Sequence, residues 1–251
     1  MADDRTNESV ARTLEFALSD YCIAQMAKAL GKTADYEDLM RRAKNYRYLY
    51  NPKTKLFQAR NADGSWAGEH SGFTEGANWT YQFCVMQDVQ GLIDLMGGNE
   101  SFAAALDNVF DNGHYRHDNE PGHHYVYLYN YCGRFDKAQE RIPEILETHY
   151  RNGADGLSGN DDCGQMSAWY LFSSLGFYPV TPASGEYALG IPRFPSARVE
   201  LPHGKVLTVR AEGLKEHKHL PVILFNGKKL DAPFIAIRDL MKGGVLEFKA
   251  E

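Results

Sequence analysis

The chain has 251 residues, 43% of them apolar and 24% charged, which supports one substantial hydrophobic core and a smaller second one. A formal net charge of -6 without a basic cluster argues against nucleic acid as a partner. No apolar run is long enough to span a bilayer, the opening MADDRTNESV lacks signal-peptide features, and four scattered cysteines form no C-x-x-C pair. The chain as written is therefore expected to be soluble, without a zinc site or a disulfide framework.

From Glu8 to Leu30, Val10, Leu14, Ala17, Tyr21 and Met26 recur at helical spacing, and Gly31 supplies a stop. A second helix is expected around Tyr36, Leu39, Met40, Ala43 and Tyr46, ended by Asn51-Pro52. Residues 51–78 have no steady period and are rich in Gly, Asn, Asp and Ser; connections of that length are usually functional. Helix is predicted again from Trp79 to Met96, closed by Gly97-Gly98, and from Ser101 to Phe110. The pattern repeats over His123–Tyr131, Phe135–Tyr150 and Gln165–Leu175. About seven antiparallel helices joined by turns point to an α/α toroid that is incomplete, since six hairpins need twelve.

After Tyr178-Pro179 the segments become short and β-branched: 197–201, 205–211, 220–225, 234–237 and 244–248. Asn226-Gly227 between apolar runs is the strongest hairpin signal among them. The expected fold is mainly α with a C-terminal β part: residues 1–178 a partial α/α toroid carrying the chemistry, 179–251 a small antiparallel β-domain.

Three loops carry candidate chemistry. In GFTEGANWTYQF, Glu75 precedes a helix and stands near Trp79, so an aromatic wall is expected to bury its carboxyl and keep it protonated, as a general acid requires. An ordinary acidic residue favoured by the helix dipole is the alternative. In HDNEPGHH, Asn119 and Glu120 offer the hard oxygens that calcium takes. Soft-metal binding by His117, His123 and His124, or a capped helix start with aromatic packing behind it, competes with that reading. In GNDDCGQMSAWYLFSSLGFYP, Asn160, Asp161 and Asp162 precede a helix whose unpaired N-H groups favour ionised carboxylates. One aspartate suffices as a cap, which leaves the other for other work. A protonated acid and an ionised one form the pair that glycosidases use, and a separation of roughly 6.5–9.5 Å gives inversion.

TEGANW, HDNEPGHH and the long GNDDCGQ run resemble three signatures of glycoside hydrolase family 92, the calcium-dependent exo-acting α-mannosidases. The opening helix and the closing FNGKKL and KGGVLEFK are similar to that family too. The resemblance implies inverting hydrolysis of terminal α-linked mannose from a glycan. By motif, Glu75 would be the general acid and Asp162 the general base, assisted by Asp161 or Asn160. Asn119 and Glu120 would help hold Ca2+, while Trp79, His123 and Gln165 would line or support the pocket.

Two departures stand out. The N-terminal β-sandwich and earlier hairpins of the family are expected to be missing, which makes that domain the anticipated partner. Also, the 110–119 connection is short, with Asp118 where the family usually has Gly, so the backbone of the Asn119-Glu120 turn is in question. Family members are commonly secreted or periplasmic. A non-catalytic remnant that works only with the missing domain is one alternative. A mannose-phosphate hydrolase is another, disfavoured because Glu75 is useful mainly for a poor leaving group.

Overall fold

Val10, Leu14, Ala17, Ala24 and Ala27 fall three, four or seven residues apart, so a helix puts them on one stripe, and all five are buried along α1 (Ser9–Ala29). Asp20 lies on the same stripe and is 7% exposed; Arg42, at the end of α2 (Thr33–Arg42), reaches it at 2.9 Å, so the buried carboxylate is neutralised by the partner helix. Gly31, at φ 69°, ends α1 where the sequence placed the stop. The computed structural model describes residues 1–250, which form two compact units: 1–116 with 181–183, and 117–180 with the chain from 184 onward. The change from helix to strand falls where the composition shifts, whereas the compact units divide at 116/117.

In the first unit α2 runs into a 3-10 turn at Asn45–Leu49, then a short hairpin of β1 (Tyr50–Asn51) and β2 (Leu56–Phe57). The continuous helix expected over 79–96 is broken. It comprises α3 (Asn78–Tyr81), an irregular stretch with a 3-10 turn at Met86–Asp88, and α4 (Val89–Leu95). Every residue from Thr80 to Val85 is buried. An amphipathic helix buries one stripe; here the chain bends instead, with Val85 N-H donating to the Phe83 carbonyl at 2.7 Å, and covers all six. Gly97 and Gly98, both at positive φ, then lead into α5 (Asn99–Asp111).

In the second unit the expected helix at 123–131 is a 3-10 run, Tyr125–Cys132, in which all but Tyr131 are buried. A segment apolar all round carries no helical period, so its tighter winding was not legible. α6 (Phe135–Thr148) and α7 (Gln165–Leu175) match expectation closely. The strands β3 (Phe177–Tyr178), β4 (Glu186–Leu189), β5 (Ser196–Glu200), β6 (Val206–Ala211), β7 (Val222–Phe225), β8 (Lys228–Lys229), β9 (Phe234–Ala236) and β10 (Gly244–Lys249) follow, with a one-turn α8 (Ile237–Leu240) before the last. They make a three-stranded antiparallel sheet, β3-β4-β9, and a five-stranded sheet, β5-β6-β10-β7-β8. In the larger sheet β10 lies parallel to β6 and the remaining pairs are antiparallel. Asn226 and Gly227, at φ 52° and 77°, form the expected two-residue hairpin turn between β7 and β8.

Candidate active site

In the first unit the loop bearing Glu75 is tied down at both ends. The Gly72 carbonyl accepts from the Val10 and Ala11 amides at 2.9 and 3.0 Å, filling the first turn of α1, and a Cβ at Gly72 would meet Ser9 Oγ at 2.8 Å. Beyond Glu75, the Tyr81 hydroxyl donates to the Thr74 carbonyl at 2.8 Å; burial pushes this phenol up to about 12, so it stays a donor. Glu75 itself stands at φ 50°. It is exposed, which corrects the expectation that an aromatic wall buries its carboxyl: Gly76 and the short α3 turn leave the side chain on the unit's surface. Trp79 is half-buried, and His114 stacks flat on it with ring centroids 4.2 Å apart and planes 4° apart. Nothing in the sequence pattern pointed to His114, since a stacked pair 35 positions apart leaves no local period.

The other candidates lie in the second unit. Asp161 is the cap of α7: its carboxylate accepts from the Ser167 amide at 2.9 Å and the Ser167 hydroxyl at 3.0 Å, and its carbonyl from the Gly164 and Met166 amides. Asp162 accepts through its carbonyl from the Gln165 amide at 3.3 Å, but its carboxylate makes no such bond among the described residues. Its side chain is exposed, at φ 45°, followed by Cys163 and Gly164, also at positive φ. Of the two aspartates it is Asp161 whose side chain holds the helix. Left-handed backbone costs a non-glycine residue about 1–2 kcal/mol, and both Glu75 and Asp162 carry that strain, a feature that clusters at functional positions.

Asn119 and Glu120 occupy the turn 117–124. Asn119 Oδ1 accepts from the Glu120 amide at 3.2 Å, and Pro121 follows in a 3-10 turn with Glu120 exposed. Asp118 is absent from the left-handed region, so the replacement of Gly in that place demands no unusual backbone. Gly159, leading to Asn160, packs directly on this turn: a Cβ there would fall 2.2 Å from the Asp118 carbonyl oxygen. Asn160 is exposed between that contact and Asp161.

His123 is 2% exposed. Its Nε2 lies 3.0 Å from the His117 carbonyl, which can only accept, so Nε2 carries the proton and Nδ1 accepts from Gln165 Nε2 at 3.2 Å. The second N-H of Gln165 reaches the Tyr178 hydroxyl at 3.3 Å. Burial holds His123 below its ordinary pKa, in keeping with a neutral ring. His123 and Gln165 therefore stand behind the loop as supports, and both ring nitrogens of His123 are occupied. Among the described residues no group of three or more His, Cys, Asp or Glu side chains is placed to hold a metal ion. The hard oxygens of Asn119 and Glu120 suit calcium in kind.

Residues 1–251 match the Glycosyl hydrolase family 92 catalytic domain. The chain belongs to that family. Its fold is similar to that of a family GH92 α-mannosidase from Bacteroides thetaiotaomicron, at 41% identity and a TM-score of 0.93, covering 99% of this chain and 35% of the other. A GH92 inverting mannosidase from Bacteroides thetaiotaomicron VPI-5482 superposes with a TM-score of 0.90 at 34% identity, over 98% of this chain and 37% of the other. A protein of Arthroderma benhamiae named uncharacterized secreted glycosidase is 28% identical over 275 residues, 96% of this chain and 35% of that protein. The chain thus spans little more than a third of the length of the relatives it matches.

Proposed function

We propose that the protein containing this chain removes terminal α-linked mannose from glycans by an inverting, calcium-assisted general acid and general base mechanism. The observation that carries the reading is the contrast between neighbours: the Asp161 carboxylate is engaged by Ser167 of α7, whereas the exposed Asp162 is held on strained backbone with no side-chain hydrogen bond among the described residues. Asp162 takes the proton of the attacking water. Glu75 protonates the leaving oxygen, and it gains its desolvation only when a sugar covers it. Trp79 offers an aromatic face to the pyranose, with Asn160 beside the base. Asn119 and Glu120 would hold calcium, which when bound helps distort the sugar ring toward an oxocarbenium-like transition state.

One relative named as an α-mannosidase and another named as an inverting mannosidase support the substrate and stereochemistry. The name of the Arthroderma relative supports export. A second reading is favoured by Phe16, Ile23 and Met26 on α1 and Leu30 just past its end, which leave apolar surface exposed: the chain acts only with a further domain, such as an N-terminal β-sandwich, and is silent alone. Proton NMR of the first sugar released from an α-mannoside by the full-length protein tests the proposal. The β-anomer of mannose is expected; the α-anomer, or no mannose, would refute it.

A further inference from the structure

The turn holding Asn119 and Glu120 is an arch whose two feet are histidines, and both are bolted to α7. At the far foot, Gln165 holds the His123 ring while Trp169 Nε1-H donates to the His123 carbonyl at 2.8 Å. At the near foot, His117 is 1% exposed and its Nε2 lies 2.7 Å from the Tyr150 hydroxyl. That hydroxyl has one proton and also lies 3.1 Å from the Met166 carbonyl, which can only accept. Tyr150 therefore gives its proton to Met166, and His117 Nε2-H donates to Tyr150. The chain of bonds runs from the arch through a phenol to Met166 in the first turn of α7, five residues beyond Asp161 and four beyond Asp162.

We propose that His117 and Tyr150 are positioning residues: their hydrogen bond, anchored on the Met166 carbonyl, fixes the Asn119-Glu120 arch against the end of α7 that presents Asp162. The inference rests on the reading of these two loops as parts of one active site. It explains why a half-buried phenol bridges a side chain and a backbone carbonyl 49 positions apart, whereas packing alone would be met by Phe. The Tyr150 ring is already held by parallel stacking on Trp169, 5.8 Å between centroids and 3° between planes. The hydroxyl is thus separable from the fold.

The test uses Tyr150→Phe, His117→Leu and His117→Gln in the full-length protein, read by hydrogen exchange of the 118–120 and 122–123 amides and by kcat and KM on an α-mannoside. Tyr150→Phe keeps the stacking and folds; it is expected to speed exchange in the arch about tenfold and to lower kcat more than KM changes. His117→Leu does the same. His117→Gln, whose amide N-H reaches the Nε2 position, restores both readouts. Unchanged exchange in Tyr150→Phe overturns the strap, and faster exchange with unchanged kcat overturns its role in positioning. Should the wild type release no mannose, the functional reading fails, while exchange in Tyr150→Phe still decides whether the strap holds the arch.

Discussion

Asp161 grips Ser167 twice, through the amide at 2.9 Å and the hydroxyl at 3.0 Å, and this bond pair separates the duties of two adjacent carboxylates. Replacing Asp161 with Ala removes the cap of α7 and is expected to cost about 0.5–2 kcal/mol in denaturant unfolding. Asp162→Asn is expected to leave stability unchanged or slightly raised, since Asn tolerates left-handed backbone, while turnover falls by roughly 10²–10⁴-fold. Equal losses of stability in the two variants would contradict the division.

Gly159 lies against the Asp118 backbone with no room for a side chain. Gly159→Ala should force the two loops apart at a cost of about 1–3 kcal/mol. Urea unfolding of the variant measures it, and an unchanged midpoint would show that the contact is loose.

Burial, aided by His123 and His149, drives the His117 pKa down to about 2, with Asp118 opposing. The unfolded chain has the ordinary value near 6.5, so between that value and about 2 the unfolded state binds more protons, and stability falls as pH falls. The contribution is fully present above pH 6.5 and is lost progressively below it, at up to about 1.4 kcal/mol per pH unit for this group. His123 adds in the same direction. Thermal unfolding from pH 7 to pH 4 should show the decline, whereas a His117→Gln variant should show a shallower one.

Calcium removal is the next test. A chelator should abolish mannose release by the full-length protein, and added calcium should restore it. Activity indifferent to chelation would remove the metal from the account. The 251-residue chain by itself is expected to turn over weakly or not at all.

Much of this was legible because it is local. The α1 helix, the stop at Gly31, the span of α7 and the Asn226-Gly227 turn each follow from neighbouring residues, and the structure has them where the pattern put them, although Met26, which shares the expected α1 spacing, is exposed while Ala24 and Ala27 are buried. The broken 79–96 helix and the 3-10 run at 125–132 were not, because uniformly buried segments carry no period. Nor were the His114 stack on Trp79 and the His117–Tyr150 bond, which join residues far apart in sequence. The exposure of Glu75 is of the same kind: sequence showed a tryptophan nearby but not which way the carboxylate faces.

The leaving-group dependence of Glu75→Gln reaches the central claim most directly. With an ordinary α-mannoside, kcat should fall by roughly 10²–10⁴-fold; with a dinitrophenyl mannoside, whose leaving group departs without a proton, it should stay near wild type, while Asp162→Asn loses both. An equal loss on the two substrates for Glu75→Gln would contradict its role as the acid.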